Sequence, residues 1–170
     1  GLPERDDAKT FIYALLYGAG DAKIGTIIDG GAKAGRSLRY KFMSGLPAYA
    51  KLLEKIGTTM NKQGTLPGLD GRRLHVRSEH AALNTLLQSA GAVVMKKALV
   101  LAMDALQEAG IPCTLVAQVH DEVQVEAEPQ YAEQVGQAFR KAIQDAGTYY
   151  EMRCPLDGEY KVGPNWSHTH

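Results

Sequence analysis

The stretch Val116-Ala-Gln-Val-His-Asp-Glu-Val-Gln-Val125 constrains this chain more than any other, because it sets an acidic pair, Asp121-Glu122, inside a valine-rich strand pattern. Alternation on both sides of His120-Asp121 predicts two short strands meeting at a tight turn, with Val116, Val123 and Val125 on one face. A two-residue turn favours Asn-Gly or Asp-Gly, since both central positions take positive φ, and His-Asp suits it poorly. The turn therefore looks chosen for its side chains. An ionised carboxylate beside an apolar sheet is costly unless a cation or hydrogen-bond donors compensate it. A bound metal is one explanation and an ordinary exposed turn is the other, and on this stretch alone both stand.

At 170 residues the chain is long enough for one domain or two small ones. Lys plus Arg equal Asp plus Glu at 19 each, so no bulk basicity announces nucleic acid, and any such partner must be met by a local patch. Cys113 and Cys154 lie far apart without metal-ligand spacing, which suits buried thiols in a reducing, cytoplasmic setting. No run of consecutive apolar residues approaches the roughly 20 of a membrane span. Gly1 stands directly before a helix-start signal with no lead-in strand or loop. That is expected of a cut edge, although removal of an initiator Met gives the same start.

Pro3 followed by Glu4, Asp6 and Asp7 marks a helix start, and the helix is expected to run to about Tyr17 with Ala8, Phe11, Ile12 and Leu15 packed. Arg5, Lys9, Tyr13 and Tyr17 recur every four residues and wind slowly along another side. Asp21 to Ile28 reads as a short helix capped by Asp21, and Ala32 to Met43 and Pro47 to Met60 as two more, the last begun by proline. Residues 61–77 are too broken by glycine and proline for helix, and Arg72 to Arg77 alternates like a strand. Ser78 is expected to cap a long helix continuing toward Ala109, with Leu83, Leu86, Leu87, Ala90 and Val94 buried and His80, Asn84 and Gln88 at four-residue steps on another side. Beyond the acidic hairpin, Tyr131 to Ala146 reads as an amphipathic helix and Met152 to Tyr160 as a last strand, before a turn at Gly163-Pro-Asn-Trp166.

These groups suggest chemistry. Arginine offers a planar fork to phosphate oxygens and lysine a point charge that can give up a proton, so Arg5 and Lys9 suit a polyphosphate, with Tyr13 beside a base or sugar. Solvated cations beside half-buried tyrosines are the commoner arrangement. His80, Asn84 and Gln88 are donors that need not carry charge, which suits the minor groove, where every base pair offers acceptors in similar places; a helix side facing water reads the same. Asp121 with a second carboxylate from elsewhere could hold two Mg²⁺ ions through hard oxygen ligands. Each signal is weak by itself, and their conjunction in one chain is not.

Taken together, Arg5-x-x-x-Lys9-x-x-x-Tyr13-x-x-x-Tyr17-Gly18, His80-x-x-x-Asn84-x-x-x-Gln88 and Val119-His-Asp-Glu122 resemble, in order and approximate spacing, three motifs of the family A, DNA polymerase I-like, DNA polymerases. Finer strings, Gly68-Leu-Asp-Gly-Arg72 and Gly163-Pro-Asn-Trp166 among them, resemble the replicative polymerases of short-tailed bacteriophages. The resemblance covers nearly the whole chain. It implies an α+β architecture, with a helical fingers subdomain over residues 1–79 and the carboxyl-terminal part of a palm, with an antiparallel sheet, over 80–170. The activity implied is primer extension with deoxynucleotides, on primer-template DNA and with two Mg²⁺ ions, in the host bacterial cytoplasm if the chain is phage-encoded. Arg5 and Lys9 would bind the triphosphate, with Lys9 protonating departing pyrophosphate. Tyr13 would pack beside the nucleotide's sugar and base, and Tyr17 near the templating base. His80, Asn84, Gln88 and His120 would contact DNA, although many relatives carry arginine where His80 stands. Asp121 would ligate metal. Glu122 is the second catalytic candidate, but adjacent strand residues point opposite ways, so equal roles are not expected. The family's first catalytic aspartate, in an Asp-x-Ser-x-x-Glu-like strand, precedes the region matched here, as do the thumb and half of the palm. The expectation is a chain inert alone and active with a second polypeptide that supplies that aspartate; the alternative is a non-catalytic DNA-binding remnant.

Overall fold

Helix α1 (Arg5–Leu16) forms where Phe11 and Leu15 fall four residues apart and both are buried. A computed structural model describes residues 4–170; the helix-start signal at Pro3 lies outside the described residues. The α+β class expected from the sequence holds. The chain divides into two compact units, residues 1–88 and 89–170.

In the first unit α1 is followed by α2 (Asp21–Thr26), α3 (Ala32–Gly45) and α4 (Pro47–Gln63). Proline begins α4, and Gly64, in the left-handed region at φ +66, ends it with its N–H on the Met60 carbonyl at 2.8 Å. Phe11, Leu15 and Ile24 make one core cluster, with Leu38, Phe42 and Tyr49 against it. A second is built from Ile56 of α4, Leu66 and Leu74, and Ala82 and Leu83. Tyr49 packs against both. Each fully buried Leu, Ile or Phe contributes about 1.5–3 kcal/mol by leaving water, so these few residues hold the helices together. Ile12, expected on the packed face, is exposed, because it lies about 100° around the helix from Phe11. Leu66 and Leu74 face each other across a short antiparallel pair, β1 (Thr65–Pro67) and β2 (Arg73–His75). The sequence pattern indicated β2 and not β1.

Two expected caps take other roles. Asp21 is the first residue of α2, not its cap; its carboxylate accepts from Arg39 at 2.8 Å and Arg36 at 3.2 Å, while Gly20 occupies the cap position. Ser78 has the extended backbone of a cap but makes no capping hydrogen bond, and a 3-10 turn at Glu79–Ala81 separates it from α5 (Ala82–Glu108).

The boundary between the units falls within α5. In the second unit Val94, Ala98, Ala102 and Leu106 are buried at four-residue steps along α5. An antiparallel hairpin, β3 (Cys113–Val119) and β4 (Glu122–Ala127), follows, then α6 (Ala132–Tyr149), which buries Val135, Ala142 and Ala146, and α7 (Trp166–Thr169). Cys113 and Cys154 are free thiols. The strand expected over Met152 to Tyr160 is not formed. Pro155 lacks an N–H for a ladder, and side chains fix this stretch to α6 instead. Asp157 accepts from Arg140 at 2.7 and 2.8 Å and from Gln144 at 3.1 Å, the Tyr160 ring covers Gly136, and Leu156 covers Gly147.

Among the described residues one stretch, Glu79–Glu108, is long and apolar enough to cross a membrane by length and composition, with a mean hydropathy of 1.5 over an 18-residue window. Lys96 and Lys97 break the consecutive apolar run, but the average survives them.

Candidate active site

The acidic hairpin sets the geometry of the site in the second unit. Val119 pairs with Glu122, Gln118 with Val123 and Ala117 with Gln124, leaving His120 and Asp121 as the two-residue turn. His120 takes φ +55, the left-handed backbone such a turn demands, which histidine tolerates better than most residues. A bulge at Val116 then shifts the register, so that Leu115, not Val116, stands opposite Val125. The expectation that Val116 shares a face with Val123 and Val125 assumed a straight ladder; Val116 is instead the extra residue, opposite no residue of β4, and is 59% exposed.

The two acids differ sharply. Asp121 is exposed at the tip, and neither it nor His120 has a hydrogen-bond or ion-pair partner among the described residues. Glu122 is engaged at both carboxylate oxygens. Trp166 Nε1 donates to Oε1 at 2.6 Å, the Gln124 side-chain amide donates to the same oxygen, and His170 Nδ1 lies 2.7 Å from Oε2. The carboxylate accepts from His170, so Nδ1 carries the proton. These donors, His170 first and Gln124 next, hold the Glu122 carboxyl below its ordinary range. Among the described residues no three His, Cys, Asp or Glu side chains come together as a metal site. Asp121 fits one hard-oxygen contact to a divalent cation, and this unit supplies no second free carboxylate beside it.

In the first unit Arg5, Lys9, Tyr13 and Tyr17 all lie exposed along α1 or at its end. Arg5 and Lys9 have no ion-pair partner among the described residues, so both charges are available to a ligand. Tyr13 and Tyr17 stack on each other, with ring centroids 6.2 Å apart and planes inclined by 19°. Gly18, at φ +76, ends the helix pressed against the backbone of His80. Asn84 and Gln88 sit one turn apart on α5, half-buried and exposed respectively. His80 lies in the 3-10 turn, where three residues rather than 3.6 complete a turn, so the regular four-residue ladder holds only for Asn84 and Gln88.

Zero net charge conceals a division. Residues 1–88 carry 13 Lys and Arg against 8 Asp and Glu, a net of +5, and residues 89–170 carry 6 against 11, a net of −5. The excess of cations lies in the unit with the Arg5 and Lys9 stripe, where a polyanion would be drawn. Trp166, His170 and Gln124 were not singled out from the sequence for this site. The available signal was a single tryptophan, whose N–H seeks a partner, in a polar segment of Gly, Pro, Asn, Ser and His.

In backbone fold the chain is similar to the POL domain of Pol1 from M. smegmatis, solved as a complex with DNA primer-template and dNTP, with a TM-score of 0.76 and 21% identity over 84% of this chain and 27% of that one. In sequence it is 43% identical to the DNA-directed DNA polymerase of Escherichia phage T7, across 99% of this chain and 27% of the relative. It is 42% identical to that of Escherichia phage Phieco32, across 100% and 29%, and 30% identical to DNA polymerase I of Aquifex aeolicus, across 96% and 30%. The chain thus spans less than a third of the length of these relatives. DNA polymerase family A matches residues 3–168, and the chain belongs to that family.

Proposed function

We propose that this chain forms part of a DNA-directed DNA polymerase that adds deoxynucleotides to a primer 3′ end, completed by a polypeptide that supplies the first catalytic aspartate. The observation that carries the reading is Asp121: an exposed carboxylate without a partner among the described residues, at the tip of a hairpin, in a member of this family. On this reading residues 1–79 serve as fingers and 80–170 as part of the palm. Arg5 and Lys9 bind the triphosphate of the incoming nucleotide, and Lys9 gives a proton to the departing pyrophosphate. Tyr13 and Tyr17 unstack, Tyr13 to lie beside the nucleotide's sugar and base and Tyr17 near the templating base. His80, Asn84, Gln88 and His120 hold the primer-template by hydrogen bonds that do not read sequence. Asp121 would hold Mg²⁺ together with the family's first catalytic aspartate, and the bound metal would supply charge stabilisation and activation of the attacking oxygen.

Primer extension by the chain mixed with its completing polypeptide tests the proposal. Synthesis that disappears in Asp121→Asn supports it, and absence of any Asp121-dependent synthesis refutes it. Lys9→Ala is expected to slow incorporation far more than it weakens DNA binding, and equal losses refute the role given to Lys9. The second reading, a DNA-binding remnant without chemistry, draws on the lack of a three-ligand metal cluster among the described residues. It predicts duplex binding that survives Asp121→Asn with no synthesis under any condition.

A further inference from the structure

Glu122 and Asp121 are neighbours of the same chemical type in opposite circumstances. Among the described residues one carboxylate accepts three hydrogen bonds from side chains, and the other accepts none. We propose that residues 163–170 brace Glu122, with Trp166 and His170 holding its two oxygens so that Glu122 positions the turn that presents Asp121 instead of joining Asp121 as a metal ligand. The assignment rests on the polymerase reading above.

The brace is built in layers. Thr169 Oγ1 donates to Gln124 Oε1 at 3.1 Å, which turns the amide so that its nitrogen meets Glu122. Asn165 Oδ1 accepts from Ser167 Oγ and lies 2.7 Å from His168 Nδ1, closing α7 on itself. Gly163 leaves no room for a side chain, since a Cβ there would lie 2.7 Å from the His168 Cβ. Two of the donors to Glu122 therefore come from a segment with its own internal fixings. On the other side, Glu122 is the last paired residue before the turn, opposite Val119. His120 is held at φ +55, a conformation that persists where its surroundings impose it. A cation approaching Oε1 would have to displace both Trp166 and Gln124, whereas Asp121 offers its oxygens with nothing to displace. Glu122, Trp166 and His170 are thus positioning residues for Asp121, in the way that outer hydrogen bonds orient a ligating group.

Trp166 is the single tryptophan, so its fluorescence reports the brace without any activity. In the full 170-residue chain, Glu122→Gln and His170→Phe are each expected to shift Trp166 emission; unchanged emission in both overturns the brace. In primer extension with the completing polypeptide, Trp166→Phe and Glu122→Gln are each expected to lower kcat about tenfold. The dNTP KM and the magnesium concentration for half-maximal rate should stay within about twofold. His170→Asn, with an amide nitrogen near the place of Nδ1, should recover most of what His170→Phe loses. A magnesium requirement raised about tenfold or more in Glu122→Gln but not in Trp166→Phe would make Glu122 a ligand and overturn the proposal. Failure of the polymerase reading looks different: no Asp121-dependent synthesis at all, with Trp166 emission still responding to Glu122→Gln.

Discussion

Tyr49→Phe deletes one atom, the phenolic oxygen, and leaves in place a ring that packs against both core clusters of the first unit and meets Phe42 edge to face at 5.9 Å. That oxygen is buried with no hydrogen-bond partner among the described residues. A buried, unsatisfied hydroxyl costs about 1–3 kcal/mol relative to its hydrated state in the unfolded chain. Its removal is therefore expected to stabilise the first unit by about 1 kcal/mol, a rise in Tm of about 2–4 °C for a chain of this size. Tyr49→Ala removes the ring as well and is expected to cost about 3–5 kcal/mol. Trp166, the sole tryptophan, lies in the second unit, so the measurement is far-UV circular dichroism against urea and temperature, with separate transitions fitted where the units unfold separately.

The pH dependence gives an independent arm. Burial pushes the Tyr49 phenol above its ordinary value, with Arg39 opposing. The folded state thus resists ionisation that the unfolded chain allows. Wild-type stability is complete below the unfolded tyrosine pKa of about 10 and falls as pH rises above it. The advantage of Tyr49→Phe should therefore widen above about pH 10. A phenylalanine variant that is no more stable than wild type at neutral pH would show that the hydroxyl has a partner and would refute the reasoning.

Two further outcomes follow from particular residues. Gly18 and Gly64 both take positive φ, but a Cβ on Gly64 meets nothing within 4 Å, whereas one on Gly18 would lie 3.0 Å from the His80 carbonyl carbon and nearer still to its oxygen. Gly64→Ala should cost about 1–2 kcal/mol from backbone strain alone and Gly18→Ala clearly more by thermal melt, and equal costs would mean that α1 does not press on His80. Asp157 is held far below the usual carboxylate range, chiefly by the Arg140 hydrogen bond and then by the Gly158 N–H. Its contribution is present above the unfolded pKa of about 4 and is lost as pH falls below it. The Tm gap between wild type and Asp157→Asn should hold steady from neutral pH to about 5 and close at lower pH; a gap independent of pH would remove the ion pair from the account.

The helices and the acidic hairpin were legible because their signals are local. Phe11 and Leu15 mark a helix face by spacing, Pro47 and Gly64 mark the two ends of α4, and valines flanking His120-Asp121 mark a turn. What escaped depends on partners distant in sequence. Asp21 reads as a cap until Arg36 and Arg39, 15 and 18 residues away, claim its carboxylate. Met152 to Tyr160 carries a strand-like pattern, yet its anchors are Arg140, Gly136 and Gly147 on α6. The bulge at Val116 leaves no composition mark, because the sequence on either side alternates acceptably in both registers. In the first unit, the stripe of Arg5, Lys9, Tyr13 and Tyr17 needed only the helical repeat. The difference between Asp121 and Glu122 needed Trp166 and His170, 44 and 48 residues beyond Glu122.

The corner where α2 meets α3 has a mechanical consequence. Gly35 brings α3 so close that a Cβ there would lie 2.6 Å from the Gly25 backbone nitrogen, and Arg36 and Arg39 tie Asp21 across the same corner. No layer of side chains lies at that crossing to shear or repack, so load applied to one helix passes to the other without slack. Leu46 is the single residue between α3 and α4, with φ −130 and ψ 69 outside the helical region. A change in the angle between this pair and α4 would therefore have to be taken up at Leu46, against the packing of Phe42 on Tyr49.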